Sequence, residues 1–473
     1  MFEAYEVVSR KTLAGAVAAV GLLVSAQGAN ALTIQEALAA TYQNNPTLNA
    51  SRAQLRVTDE GVPQALSGWR PTLSASALYG GQWEEADTID QTLGVASRST
   101  RTFSESRFVA TLNQPLFRGF RTINSTRQAE AIVRAQREDL RFQEQTALFQ
   151  AATAYMDVIR DTALVSLRRS DLNFQEEQVR ASVDRFNVGE GTRTDVSQSE
   201  AGRARAQSAL NTALANLNTS RAIFRQVIGI DPTNLSARTN ISSLLPQTVS
   251  AAISIGQEEH PSIQTSQFMV DAAQFAVKTA EGVLLPSADL DGEFFYNDRS
   301  LPIGAQGGGK SVTASIFGRV TIPIYQGGGE YSQIRQAKED LGRTELMVDV
   351  SRDSIRAQAI SSWGQLNASI ASITASEAEV AAARLALEGV IEEQRVGQRT
   401  TLDVLDSQSD LVDARVTLVT SQRDRVVAAY AVLSAVGRLD FDNLGLSGAR
   451  YDPTEHYRLV RDKWIGLRTP DGR

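Results

Sequence analysis

Two stretches of more than 100 residues each contain no proline, and they constrain the fold more than any other feature of the chain. They run from Leu116 to Asp231 and from Ile324 to Asp452. Arg121 to Val188 also lacks glycine, and apolar residues such as Leu148 and Ala152 recur there at helical spacing. At about 1.5 Å per residue, this segment predicts a helix on the order of 100 Å long. Such amphipathic helices bury their apolar stripe against neighbouring helices along their whole length, as coiled coils do.

The chain also contains an internal duplication. Pro46 and Pro71 recur as Pro261 and Pro286, at an offset of 215 residues. Beyond them the offset is a constant 208 residues, in the pairs Pro115/Pro323, Gly119/Gly327, Arg127/Arg335, Gly189/Gly397, Asp195/Asp403 and Gly229/Gly437. One constant shift over more than 100 residues is hard to obtain by chance, so the sequence predicts two copies of one structural unit.

We expect the repeats at 32–240 and 241–448, each with the same elements in the same order. A short helix between two prolines comes first, at Pro46 to Trp69 and again at Pro261 to Leu285. Two strands follow, because apolar and polar residues alternate there with period two. The strands are predicted at about 72–80, 104–114, 287–297 and 312–322. The first repeat is longer here by seven residues, and the polar segment Glu84 to Thr102 is expected to be a loop that absorbs them.

A long helical hairpin completes each repeat, at 121–229 in the first and at 330–437 in the second. Glycines are expected to form the tips of these hairpins: Gly189 and Gly191 in the first, and Gly397 in the second. A tail at 449–473 follows.

The N-terminus predicts export. Arg10 and Lys11 precede an apolar run from Leu13 to Ser25, and the small residues up to Ala31 follow it. Residues 1–31 are therefore expected to be a secretory signal peptide, since the run is shorter than the roughly 20 residues that a membrane span needs. The absence of cysteine excludes disulfides, thiolate metal sites and a lipid-bearing N-terminal cysteine.

Composition disfavours several functional classes. A net charge of -7 argues against a nucleic-acid partner. The two histidines, His260 and His456, lie far apart in sequence and give little support to a metal site or to acid–base catalysis. His260, directly before a proline, is interpreted as a helix-start residue. No cluster of catalytic groups is visible, so we expect neither an enzyme nor a cofactor.

One motif points to nucleotide binding but lies in the wrong context. Gly304 to Ser311 matches the phosphate-loop pattern G-x-x-x-x-G-K-[ST]. A phosphate loop opens a helix, whereas the alternating segment from Val312 to Ile322 predicts a strand. An extracellular hairpin loop is the better interpretation.

Strand count constrains the assembly. Each chain offers four strands of membrane-spanning length, and a bilayer accepts strands only in a closed barrel of about eight or more. Two chains would give a plugged barrel of eight strands, whereas three would give twelve strands and room for a pore. The predicted fold is thus mainly α with a β membrane part: duplicated long helical hairpins plus four membrane strands, with the shared barrel continued by a helical barrel.

From Leu32 to about Leu467, the chain resembles the TolC family of outer-membrane efflux and secretion proteins. The resemblance is carried by Pro-Leu-Phe-Arg-Gly at 115–119, Arg-Phe-Asn-Val-Gly at 185–189, Thr194-Asp195-Val196, Val396 to Thr400 and Leu402 to Asp406. It implies a homotrimer with a twelve-stranded outer-membrane barrel and a periplasmic tunnel, belted by residues of about 235–255 and part of the tail. It also implies a passive route for efflux or type I protein secretion, with a periplasmic adaptor and an inner-membrane ABC or proton-driven transporter as partners.

The resemblance further implies a gate at the periplasmic end. Arg399 matches an arginine that binds a Thr-Asp pair, here Thr194 and Asp195, and Gln394 stands where the family has a tyrosine. Asp403 and Asp406, three residues apart, share one helix face. Three-fold symmetry would arrange these two aspartates as carboxylate rings that select for cations and raise one another's pKa.

The alternative from another functional class is a periplasmic adaptor or coiled-coil scaffold, which would also carry long helical hairpins. Such a protein needs compact β domains and an inner-membrane anchor, and the sequence predicts neither. The cargo, whether protein, peptide or drug, leaves no signature in the chain.

Overall fold

The structure is a computed structural model, and it describes residues 31–90, 94–238, 241–300 and 308–472. The predicted signal peptide, except for its last residue, lies outside these ranges, as do residues 304–307 of the phosphate-loop pattern.

The described residues form helices and antiparallel strands in an order that is repeated in the two halves of the chain. In chain order these are α1 (Ile34–Asn44), α2 (Pro46–Asp59), α3 (Gly61–Leu66), β1 (Thr72–Asp90), β2 (Val95–Arg118), α4 (Arg121–Asn187), α5 (Arg193–Ile228), α6 (Val249–Glu259), α7 (Pro261–Glu281), β3 (Ser287–Ser300), β4 (Gly309–Thr321), α8 (Gly329–Arg395), α9 (Thr401–Ala435) and α10 (Glu455–Val460). The 67-residue helices α4 and α8 confirm the predicted long helices.

The chain divides into two compact units. The first comprises the described residues up to Pro46 together with Glu144–Ala252 and Ile360–Ala449. The second comprises Thr47–Gln143, Ile253–Ala359 and the residues from Arg450 onward. Each unit takes segments from both sequence repeats, because α4 and α8 each continue from the second unit into the first.

A four-stranded sheet in the order β1-β2-β3-β4 lies in the second unit. Its strands pair with their sequence neighbours, for example Thr72 with Asn113 and Ser287 with Thr321. One face is apolar and exposed, and it carries Leu73, Tyr79, Phe108, Leu112, Phe294, Val312, Ile316 and Val320. The opposite face is richer in polar residues, and Asn113 there donates to Asp291 at 2.7 Å. In the described chain, β1 and β4 each pair along one edge only.

The first β-hairpin is longer than predicted. The segment Glu84 to Thr102, expected as a loop, is mostly strand, and Glu84 pairs with Arg101 across the ladder. The loop prediction was therefore wrong: most of the added length lies in paired strands. In β2, pairing with β3 begins at Ser104, so residues 82–90 and 95–103 form a ribbon of two strands.

The short helices also depart in detail from the sequence prediction. The helix expected from Pro46 to Trp69 is interrupted at Glu60, and α3 ends in a 3₁₀ turn at Ser67–Trp69. The interpretation of His260 as a helix-start residue is confirmed, because its Nδ1 accepts a hydrogen bond from the backbone N–H of Ser262 at 3.2 Å. Two further helices, α1 and α6, precede the prolines that open α2 and α7.

None of the helices in the described part of the chain is both long and apolar enough to cross a membrane.

The first unit has a tyrosine at the centre of its core. The fully buried Tyr155 of α4 places its hydroxyl 2.6 Å from the carbonyl oxygen of Leu32 and 2.8 Å from that of Ser236. Its ring lies beside the buried Phe224 of α5. Burial raises the pKa of Tyr155 to about 12. The segments at Leu32 and Leu235, which pair with each other, are thereby held against α4.

Candidate functional site

The two helical hairpins end in tips with the same backbone geometry. Gly189 (φ +83°) and Gly397 (φ +79°) both adopt the left-handed conformation, which glycine enters without a steric penalty. The N–H of Glu190 bonds to the carbonyl of Arg185 at 2.8 Å, and the N–H of Gln398 bonds to that of Glu393 at 2.9 Å. These bonds complete the left-handed glycine termination of α4 and α8. The structure thus places the predicted tip residues Gly189, Gly191 and Gly397 at the hairpin ends.

A reciprocal cap starts the returning helix at each tip. The hydroxyl of Thr192 accepts from the N–H of Asp195, while a carboxylate oxygen of Asp195 accepts from the N–H of Thr192 at 2.9 Å. Thr400 and Asp403 repeat this arrangement, with the corresponding bond at 2.8 Å. The spacing T-x-x-D is a sequence signal for such a cap, and it occurs at both tips. Sequence reasoning missed it, because both aspartates were assigned to the gate.

These caps lower the pKa of both carboxyls. Hydrogen bonds from the side chain and the backbone N–H of Thr192 favour the charged form of Asp195. Hydrogen bonds from Thr400 do the same for Asp403, with the nearby Arg399 as a minor cause. Within one chain, the pKa of Asp403 therefore moves in the direction opposite to that expected for a ring of carboxylates.

The predicted latch residues do not meet within one chain. The guanidinium of Arg399 donates to Glu393 at 2.9 Å and lies 3.9 Å from Asp403, both in its own hairpin. This pairing raises the pKa of Arg399. Thr194 is exposed on the other tip, and Asp195 is engaged in its cap. Arg399 and Thr194 thus lie on exposed parts of different tips.

Gln394 is the predicted gate residue that does join the two hairpins. Its side chain is buried, with a residue exposure of 9%. Its Oε1 accepts a hydrogen bond from Arg185 of α4 at 3.5 Å, and its Nε2 donates to Thr401 of α9 at 3.3 Å. We call the contact between Arg185 and Gln394 the tip bridge. Arg185 lies in one of the family motifs and Gln394 at a predicted gate position, but nothing in the sequence indicated this pairing.

Further polar contacts join α4 to α9. Gln408 donates to Asp171 at 3.2 Å between two buried side chains, and Arg423 donates to Asp157 at 2.9 Å. An apolar cluster supports them, in which Phe174 of α4 packs with the buried residues Leu387, Val404 and Leu411. The hairpins of one chain are thus held together by buried packing, and the tip bridge is the polar contact nearest their ends.

The two aspartates of the predicted rings occupy different surroundings. Asp403 is half-buried in its cap, whereas Asp406 is exposed and lines a groove with a volume of about 160 Å³. Arg168 and Arg205 also line this groove. The carboxylate of Asp406 therefore lies on a surface that also carries positive charge.

The phosphate-loop motif does not precede a helix. Gly309 begins β4, and Lys310 within that strand lies 3.7 Å from Asp298 of β3. In the described chain, Lys310 is followed directly by the rest of β4, and not by a helix N-terminus that could hold phosphate. The strand predicted after the motif is confirmed.

Comparisons with known proteins agree with this geometry. The family model "Outer membrane efflux protein" matches residues 33–230 and again residues 252–438, one match for each half of the duplication. The chain is 45% identical to the outer membrane efflux protein BepC of Brucella suis biovar 1 (strain 1330), over 98% of both chains. It is 27% identical to the outer membrane protein TolC of Escherichia coli (strain K12), over 91% of this chain and 88% of the other.

Solved structures show the same fold. The Campylobacter jejuni CmeC outer membrane channel superposes with a TM-score of 0.71 at 15% identity, over 91% of this chain and 89% of that chain. These matches favour the outer-membrane channel over the adaptor or scaffold alternative. The chain belongs to the outer membrane efflux proteins, which are trimeric channels of the Gram-negative outer membrane that work with adaptors and inner-membrane transporters in efflux and secretion.

Proposed function

We propose that three copies of this chain close one twelve-stranded barrel and that their helical hairpins form a passage gated at the tips. The observation that carries the assembly is the sheet: β1 and β4 each have an edge without a partner in the described chain, and one sheet face is apolar and exposed. In a bilayer, unpaired backbone groups cost several kcal/mol each, so strand edges must close on one another. The strand edges of neighbouring copies satisfy this requirement.

The gate that we propose has two kinds of contact. Within each chain, the tip bridge between Arg185 and Gln394 holds the end of α8 against α4. Between chains, the exposed Arg399 of one copy reaches Thr194 and Asp195 of its neighbour, since opposite charges at exposed tips attract. Opening separates both kinds of contact, and the buried packing between α4 and α9 acts as the pivot.

The partners that we propose are a periplasmic adaptor docked at Gly189, Gly191 and Gly397, and an inner-membrane ABC or proton-driven transporter. Support comes from the relatives, which include BepC, named an efflux protein, and AprF of Pseudomonas aeruginosa, named an alkaline protease secretion protein. Because the identity to BepC is the higher, we propose efflux first and type I protein secretion second. The chain performs no enzymatic step in either case, and the transporter supplies the energy.

Purification and electrical recording test the assembly. We expect the mature chain to need detergent, to migrate as an SDS-resistant trimer that dissociates on heating, and to conduct ions in planar bilayers. A folded monomer that stays soluble without detergent and forms no channels would contradict the proposal.

A further inference from the structure

A cluster of charged side chains lies on the polar face of the sheet, near the end of β3, where the four-stranded part of the sheet stops. Glu105 of β2 is buried, with a residue exposure of 7%. Its Oε1 accepts from Arg107 at 2.7 Å and lies 3.9 Å from Arg299 of β3. We call Glu105, Arg107 and Arg299 the arginine cluster. Its two guanidinium groups share one carboxylate, so the cluster carries a net charge of about +1 at neutral pH.

Aromatic rings hold these arginines in place. The guanidinium carbon of Arg299 lies 4.5 Å from the centre of the Phe103 ring, and that of Arg107 lies 5.8 Å from the centre of the Phe295 ring. Both distances are within the range of attraction between a cation and an aromatic face. The Nε atoms of both arginines are buried and have no hydrogen-bond partner. The cluster therefore has donor capacity that the described chain does not use.

The charge on this sheet face changes sign along the strands. Nearer the helices, the same face carries Asp289, Asp291, Glu293 and Arg319, with a salt bridge of 3.0 Å between Arg319 and Asp291. These four residues, which we call the acidic level, have a net charge of about −2 per chain at neutral pH. The arginine cluster lies about 20 Å farther along the strands, at about 3.4 Å per residue. Beyond it, Glu84 and Arg101 pair across the ribbon and cancel.

The apolar face of the sheet indicates whether the cluster lies on the lipid side or on the lumen side of a barrel wall. Phe108, Phe294 and Val312 alternate with the residues of the polar face and are exposed. In a membrane barrel the apolar face contacts lipid and the opposite face lines the lumen. The arginine cluster thus lies in the lumen, at the end farthest from the helices.

We propose that the arginine cluster forms an anion-attracting ring at the outer mouth of the channel and, together with the acidic level, contributes to the ion preference of the channel. This inference rests on the proposed three-chain barrel, which brings six arginines and three glutamates to one level. Rings of arginine in a narrow pore favour anions, and a lumen with low-dielectric walls focuses their field. The groups that such a ring attracts are chloride and the carboxylates or phosphates of a passing solute.

The test is the reversal potential of single trimers in planar bilayers under a KCl gradient. The double variant Arg107→Gln with Arg299→Gln should shift the reversal potential toward the equilibrium potential of potassium. Glu105→Gln should shift it toward the equilibrium potential of chloride. A change of about one kT in the potential at the ring alters the cation-to-anion permeability ratio about sevenfold, and fields of several kT are typical of charged clefts. The variant Arg107→Lys with Arg299→Lys keeps the charge and should keep the preference of the unaltered channel.

Arg98→Gln provides a matched control. Arg98 lies on the same strand but on the opposite face, where it pairs with Glu85 and Asp87, so its loss should leave the reversal potential unchanged. Equal reversal potentials for the Arg→Gln double variant and the unaltered channel, with both migrating as SDS-resistant trimers, would overturn the ring. A shift of Glu105→Gln toward potassium would overturn it as well. Failure of the unaltered protein to form any channel would instead refute the proposed function.

Discussion

Replacing Gln394 by alanine should bias the channel toward its open state. The substitution removes the acceptor of the tip bridge and the donor to Thr401, while Arg185 is only partly buried. At 3.5 Å the bond from Arg185 is long, so its net contribution is about 1 kcal/mol, below the usual range for charged donors. Three copies that open together lose about 3 kcal/mol of closed-state stability, which is about a hundredfold in the open-to-closed ratio.

Single-channel recording measures this ratio as the open probability at fixed voltage. We expect a much higher open probability for Gln394→Ala than for the unaltered channel. Cells that carry the variant should become sensitive to antibiotics that are too large to pass through the closed channel. Gln398→Ala is the matched control, because Gln398 lies at the same tip and contributes its backbone N–H to the turn. Equal amounts of SDS-resistant trimer in both variants would show that neither change acts through folding.

A double-mutant cycle makes the prediction stricter. If Arg185 and Gln394 act through their mutual contact, Arg185→Ala combined with Gln394→Ala should open the channel no more than the stronger single variant does. An open probability for Gln394→Ala equal to that of Gln398→Ala would refute the assignment of this bridge to the closed state. Fully additive effects would show that the two residues act separately.

Three further predictions follow from the tips and the sheet. Arg399→Ser should raise resting conductance if this arginine holds the neighbouring copy, whereas Arg395→Ser, which loses a similar exposed pair within its own helix, should not. Asp403→Asn with Asp406→Asn should reduce the cation preference measured by reversal potential, with little change in resting conductance. Lys310→Ala should leave export and trimer stability intact and reveal no nucleotide binding by calorimetry, because its exposed contact with Asp298 contributes less than about 1 kcal/mol.

The helices and their tips were predictable because their signals are local. Proline-free segments, and the glycine-free run of the first hairpin, fix the long helices, and Gly189 and Gly397 are the residues that adopt positive φ at the tips. The short helices α1 and α6 were not predicted, because Pro46 and Pro261 were interpreted as the first helical residues of each repeat. The capping boxes had a local signal as well, but Asp195 was assigned to the latch and Asp403 to a carboxylate ring.

The length of the first β-hairpin was not predictable from local pattern. Residues 84–102 are mostly polar, so neither sheet face shows the apolar alternation that marks a half-buried strand. The strand conformation of residues 84–90 and 95–102 depends on pairing between two arms that are both polar, such as Asp87 with Arg98. Likewise, the partner of Arg185 depends on how two hairpins more than 200 residues apart in sequence pack together.

The two-stranded ribbon limits how the outer end of this protein can change during evolution. Its arms, 82–90 and 95–103, continue the ladder that sets Phe103 and Glu105 on the polar face of the sheet. Adding one residue to a single arm shifts the register and turns every side chain beyond it to the other face. Adding residues at the turn, or equal numbers to both arms, leaves the ladder below undisturbed. In the proposed barrel, the length of this end can therefore change without disturbing the arginine cluster only in these paired steps.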